Sequence, residues 1–370
     1  MGPTVLAAWI AAGVSALTLA GTLVAQYVGY RATSRELDRT FTEQRTRGLN
    51  ERFATAAEQL GSDKPAVRVA GVYAMAGLAD DWEENRQTCV DVLCAYLRMP
   101  YEPDPGRDAP ESQRLDFQAI REVRHTVIRL VTAHLKNDAA VSWQGLRLDF
   151  TGVVFDGGDF SGAKFSSGIV SFTNAEFSDG TVSFRFAIFS GGTVSFNGAR
   201  FCGGTVDFHK AEFSGGETRL TGAEFSGSTV TFSGARFSGN IIDFNDTRFS
   251  GGTVSFASAQ FPAGTVYFGR AGFSGSEVDF RDARFSGGAV LFWGTWFSGG
   301  TVDFRYAEFS RGAVSFKSYE IPGNPPDAHF SGGTVDFRDP RAWSVPPVFP
   351  WTEIPPAGVK LPMKEDQSTA

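Results

Sequence analysis

The sequence predicts a mostly β solenoid, preceded by one membrane-spanning helix and a short α-helical region. Three observations predict it. From Phe150 to Phe316 phenylalanine recurs at steps of 5 and 7 residues almost without error. Apolar and polar residues alternate through the same stretch, and Thr4 to Tyr30 contains no charged side chain. The unit Phe-Ser-Gly-Gly-Thr-Val-Ser-Phe-x-x-Ala-x-Phe is cleanest from Phe189 to Phe201, and its twelve-residue period fits no ankyrin, tetratricopeptide or leucine-rich pattern.

Two residues before each Phe stands Ala at the end of a five-residue step and Val at the end of nearly every seven-residue step, as in Ala199/Phe201 and Val194/Phe196. In extended backbone, residues two apart point to the same side, so each unit sends one small and one large apolar side chain inward. The residue between them is expected to face water. That slot reads Arg200, Asp207, Glu212, Asp243, Arg284, Asp303 and Glu308.

With those residues in view, the stretch resembles the pentapeptide-repeat proteins, whose units run Ala-[Asp/Asn]-[Leu/Phe]-x-x. Ala-Glu-Phe-Ser-Gly at 211–215 and Ala-Arg-Phe-Ser-Gly at 235–239 match closely. The resemblance implies a right-handed quadrilateral β-helix with one unit per side and four units per coil. Every second unit here carries two extra residues, usually inside Ser-Gly-Gly-Thr, so a coil takes about 24 residues rather than 20, with the extras bulging at alternate corners. Glycine supplies the positive φ such corners require.

Residues 24 apart then stack. Phe177, Phe201, Phe225, Phe249, Phe273 and Phe297 form one expected core column, and Phe184, Phe208, Phe232, Phe256, Phe280 and Phe304 another; Leu220 interrupts the column through Phe196. About 32 units between Phe150 and Phe337 give roughly eight coils and a rod of about 40 Å.

At the N-terminus, 27 uncharged positions are long enough for a bilayer core. The stretch lacks the positive n-region and short h-region of a signal peptide. A retained anchor over 1–30, contacting lipid through 4–30, is expected. No basic residue precedes it, whereas Arg31, Arg35, Arg39, Arg45 and Arg47 follow, which places the bulk of the chain in the cytoplasm. Ala8, Ala12, Ala16 and Ala20 form a row of small residues four apart, a candidate for homodimerisation through this helix.

A juxtamembrane helix is expected over 31–63, with Leu37, Phe41, Leu49, Phe53, Ala57 and Leu60 along one stripe, broken by Gly61-Ser62-Asp63 and Pro65. The region 64–139 is expected to hold a helical pair over 65–79 and 84–98, which resembles a single HEAT-type hairpin. A linker from Pro100 to Pro110 and a helix over 115–136 follow; the last covers the open first coil, with Trp143 at the junction. The β-helix is assigned to 140–338. A proline-rich cap over 339–361, carrying Trp343, Val348, Phe349 and Trp351, is expected to fold over the last coil without continuing the sheet, and 362–370 to be a disordered tail.

Catalytic constellations are missing from the pattern. His125, His134, His209 and His329 are scattered without an acidic or cysteine partner at a recognisable spacing, and Cys89 and Cys94 are five apart, so no cofactor or metal site is expected. Three cysteines, odd in number, form no disulfide framework. The reading is therefore a non-catalytic scaffold or interaction module whose protein partner lies near the membrane. Candidate surface residues are Thr301, Asp303, Asp279, Arg281, Asp282 and Arg284. The alternative is a DNA-mimic protein binding gyrase, as some pentapeptide-repeat proteins do. Residues 149–341 carry 20 acidic and 15 basic side chains, a small excess for imitating a polymer with one charge per about 1.7 Å. A column of Thr181, Thr205, Thr229, Thr253 and Thr301, interrupted by Glu277, is similar to the ladders of ice-binding solenoids. With a net charge of −7 and no basic stripe, nucleic-acid binding is not expected.

Overall fold

The computed structural model describes residues 2, 26–27, 29–31, 36, 39–102, 104–239, 241–318 and 326–363. The expected anchor and its alanine row lie almost wholly outside them, as do 364–370 of the expected tail. Among the described residues no helix is long and apolar enough to cross a membrane. The chain divides into two compact units, 1–58 and 59–370. In the first, residues 39–58 are helical.

The second unit opens with three helices, α1 (Pro65–Asp81), α2 (Arg86–Arg98) and α3 (Glu111–Leu135). Pro65 starts α1 where its missing N–H costs nothing. Val72, Met75 and Leu78 of α1 and Val90, Leu93 and Leu97 of α2 are buried. Gly71 allows a close approach, since a Cβ there would stand 2.7 Å from the backbone nitrogen of Leu60. Arg86 closes the end of α1 by donating from Nε to the Ala79 carbonyl at 2.9 Å, a cation at the negative end of the helix dipole. The helix α3 begins directly after Pro110, one turn earlier than the apolar spacing indicates, because Glu111 to Arg114 supply a polar first turn.

From Leu148 onward every strand pairing is parallel, in sheets of 14, 9 and 8 strands. The largest sheet contains two faces, joined where Ile188–Ser195 and Glu212–Arg219 run unbroken through a corner. Four faces therefore surround one core. Partners stand 24 residues apart through the body, as in Val206↔Val230 and Phe225↔Phe249. The step is 22 in the first coil, Leu148↔Val170, and 33 at Trp296↔His329, where the intervening residues include 319–325, outside the described set.

Inside, Phe rings lie flat on one another. Along the column from Phe177 to Phe297, successive centroids are 4.8, 4.5, 4.9, 4.5 and 5.0 Å apart. From Phe184 to Phe304 they are 4.8, 4.7, 4.9, 4.7 and 4.7 Å apart. Between columns the rings meet edge to face, for example Phe184 and Phe196 at 6.0 Å and 83°. Both arrangements suit the aromatic quadrupole. Thr247 and Thr295 take two of the small inward positions otherwise held by Ala, and each hydroxyl donates to a carbonyl, Phe244 O and Phe268 O, so neither is left unsatisfied.

The corners use two different devices. In Ser-Gly-Gly-Thr and its Cys202-Gly-Gly-Thr variant the first glycine permits a close approach, because a Cβ on Gly203 would be driven into the Ser178 carbonyl of the coil before it. The second has positive φ, as at Gly204 (62°). The corners between seven- and five-residue units also need positive φ, yet Asn174, Phe186, Lys210, Asp246, Ser258, Arg270, Asp282 and Tyr306 occupy them at 54° to 61°. Glycine thus supplies the positive φ at the bulged corners, while the alternate corners take it largely from other residues. Their backbone is held by hydrogen bonds between coils, such as Lys210 N–H to the Ser233 carbonyl at 3.0 Å.

Two further expectations are corrected. The proline-rich run does continue the sheets: Ala342–Trp343 pairs with Glu308–Phe309, Val348 bridges Ser315, and Val359–Lys360 pairs with Val335–Asp336. Its prolines fall between the residues that donate, and the Val348 N–H reaches the Val314 carbonyl at 2.8 Å. The solenoid consequently has about nine turns rather than eight. Asp303 is also not a water-facing residue, being only 9% exposed.

Candidate interaction surface

The reason Asp303 is covered appears in the corner chemistry. The second outward residue of the seven-residue strands is Asp, Ser or Thr except at Arg219, Tyr267 and Leu291, and where it is Asp, Ser or Thr its oxygen accepts the N–H two residues on. Asp207 accepts from His209 at 2.8 Å, Asp279 from Arg281 at 2.8 Å and Asp303 from Arg305 at 2.9 Å. This local bond tightens the turn. In Asp-Phe-Arg triplets the arginine then folds back, Arg281 Nη2 donating to Asp279 at 2.8 Å and Arg305 Nη2 to Asp303 at 2.7 Å. Arg281 Nε also lies 3.8 Å from Asp303 of the next coil.

The six candidate surface residues are thus brought to two adjoining faces. Thr301, Asp303, Asp279 and Arg281 belong to the nine-stranded sheet and its corner; Asp282 and Arg284 follow that corner. Asp282 contacts Arg341, and Arg284 Nε lies 3.8 Å from Glu308. Each charge in this group already has a partner within the chain, leaving Thr301 as the uncharged member. Thr181, Thr205, Thr229 and Thr253 stand in register on the same face, broken by Glu277 before Thr301.

A second polar constellation lies where the helices meet the first coil. Asp156 stands where most later units carry Ser, between Phe155 and Gly157, and is 9% exposed. Its carboxylate accepts from Tyr101 Oη at 2.7 Å and Arg121 Nε at 2.8 Å, and lies 3.1 Å from His125 Nε2. Burial alone would raise its pKa. The hydrogen bonds from His125 and Tyr101, with the positive charge of His125 and Arg121, bring it down to about 2. Burial first, and then its bond to Asp156, push the Tyr101 phenol far upward. Arg124 spans the junction, donating to the Leu97 and Val154 carbonyls at 2.7 Å each while its guanidinium lies 4.1 Å from the Tyr101 ring. Nearby, buried Trp143 donates to Asp80 at 3.0 Å and stacks on His134 at 4.0 Å; His134 Nε2 is 3.1 Å from Asp80.

Sequence spacing placed His125 and His134 without acidic partners. The structure supplies one to each from 31 and 54 residues away. The only local signal was Asp156 itself, the one acid in a slot that otherwise reads Ser, with Cys202 and Pro262 as exceptions. These clusters close the open end of the solenoid and present no nucleophile. Cys89 and Cys94 are buried, and burial raises the Cys94 thiol to about 12. Among the described residues no group of three or more His, Cys, Asp or Glu is placed to hold a metal ion.

Parallel coils of four stacked sides, with Phe inward and paired charges outward, define the repeat. Residues 150–200 match the family model for pentapeptide repeats, in nine copies. Parallel strand pairing continues beyond this pentapeptide-repeat segment to Val359–Lys360. No curated protein matches the chain.

Proposed function

We propose that the chain is a membrane-anchored member of the pentapeptide-repeat proteins with a five-plus-seven variant unit. In this reading it acts as a non-catalytic scaffold or interaction module that holds its β-helix at the cytoplasmic face of a bilayer. The observation that carries the reading is the solenoid's division of labour: the Phe, Ala and Val columns pack inward, and the outer faces are mostly polar ladders, among which Ile169, Ile241 and Trp296 stand exposed. Such faces suit the docking of another protein. The uncharged stretch 4–30 and the arginines after it support the tether and its orientation. The alanine row supports pairing of two anchors. The gyrase-binding alternative is disfavoured by charge ladders that neutralise themselves, such as Arg200 with Glu176 at 3.1 Å.

Cross-linking of the full-length protein in native membranes, followed by mass spectrometry, tests this. A reproducible partner captured near stoichiometry through 150–338 is expected. Recovery from the soluble fraction alone would remove the tether, and capture of gyrase subunits would favour the DNA-mimic reading.

A further inference from the structure

We infer that the groove between the 100–110 linker and the first half of α3 is a binding site for an arginine side chain of a partner protein. It is a cavity of about 340 Å³ lined by Tyr101, Glu102, Gln113, Asp116, Phe117 and Ile120. This site lies in the helical cap and is independent of both the membrane tether and the solenoid faces.

The floor is aromatic and already fixed. Tyr101 stacks on Phe117 with centroids 5.8 Å apart and planes 23° from parallel. The Tyr101 hydroxyl is held by Asp156, and the Arg124 guanidinium lies over its ring, so this wall needs no ordering when a ligand arrives. The rim is acidic. Glu102 and Asp116 are exposed and make no hydrogen bond or ion pair among the described residues. Residues 100–120 carry five carboxylates against two guanidiniums, Arg107 and Arg114. The next arginines along the chain, Arg121 and Arg124, are committed to Asp156, Val154 and Leu97. Their donors are occupied at the junction, Arg121 by a carboxylate and Arg124 by two carbonyls.

An apolar, aromatic slot with two free carboxylates complements a cation that is flat and weakly hydrated. A guanidinium meets this demand better than an ammonium, because it lies along an aromatic surface and offers paired donors to a carboxylate. The Gln113 amide can accept a further N–H.

The experiment is fluorescence anisotropy of a fluorescein-labelled tetra-arginine peptide with the full-length protein in detergent micelles. Comparison peptides are tetralysine and an uncharged Gly-Ser peptide of the same length. The double variant Glu102→Gln/Asp116→Asn removes the rim charges isosterically at exposed positions. Glu84→Gln/Glu353→Gln removes the same net charge elsewhere. Saturable binding is expected, weakened at least tenfold by the rim pair and less than twofold by the distant pair, with tetra-arginine tighter than tetralysine. Gln113→Arg, which places a cation in the slot, is expected to weaken binding by a similar factor. Equal weakening by both pairs would reduce the effect to bulk electrostatics and overturn the site. So would absence of saturation, or equal binding of the uncharged peptide.

Discussion

The solenoid and the helical cap at its N-terminal end are held together by opposite means. In the solenoid each coil repeats the same contact with the next, Phe on Phe at 4.5 to 5.0 Å, and its outer charges pair with near neighbours. In the cap, single buried or half-buried polar residues reach across long separations, as Asp156 does to Tyr101 and His125 and Asp80 to His134 and Trp143. The first design spreads stability over many equivalent columns. The second concentrates it in a few unique bonds. A mutation in the solenoid should therefore scale with the volume or charge it places inside, whereas one in the cap should scale with the network it breaks.

The largest effect is expected from Phe225→Asp, whose charge would sit between Phe201 and Phe249 in a fully enclosed column. An unpaired buried carboxylate costs several kcal/mol or more, so cooperative melting of the solenoid should be lost by circular dichroism. If this variant melted like the parent, the column would not be interior. Phe225→Ala is the milder form and should lower stability by about 3–5 kcal/mol in urea unfolding.

Next comes the cap. The Asp156 carboxyl is held at about 2, below the ordinary 3.8 of an unfolded chain. A depressed pKa contributes stability that is present above the unfolded value and is lost as pH falls through the folded one. The stability difference between the parent and Asp156→Asn should therefore be full at pH 6 and shrink by about 2 kcal/mol between roughly pH 4 and pH 2. Urea titrations of both proteins across that range measure it, and a difference independent of pH would show that the carboxylate is not ionised and bonded as described.

The two kinds of corner separate by a smaller margin. Gly203→Ala meets the Ser178 carbonyl and should destabilise by more than Gly222→Ala, which has open space around its Cβ and pays only for positive φ, about 1–2 kcal/mol. Thermal melts should rank them in that order. Smallest of all is Arg200→Ala, which removes an exposed pair with Glu176 and should change stability by less than about 0.5 kcal/mol.

The same contrast explains what could be read from the amino-acid sequence. A column such as Phe201, Phe225 and Phe249 is visible because its members recur at a fixed interval and the burial rule is local. Helix ends at Gly61 and Pro65 are likewise local signals. By contrast, nothing near His134 announces Asp80, because that bond exists only after α1 and α3 have packed. Corner residues such as Phe186 and Tyr306 hid their positive φ, since the inter-coil hydrogen bonds that impose it belong to the assembled stack. Val348 and Val359 were concealed by surrounding prolines, although each keeps the N–H that its position requires. The groove at Tyr101 and Phe117 was equally illegible, because linker and helix form it together.

The most direct test of the account is deletion of one coil. Removing the 24 residues 222–245 joins Thr221 to Asp246, which occupies the same place one coil later. Removing 20 residues, 222–241, takes out the length of four plain five-residue units and throws every later column out of register. The 24-residue deletion should give a cooperatively melting protein with parent-like β circular dichroism, and the 20-residue deletion should not. Equal tolerance of both, or collapse of the 24-residue deletion alone, would contradict the coil on which the structure and its proposed surfaces rest.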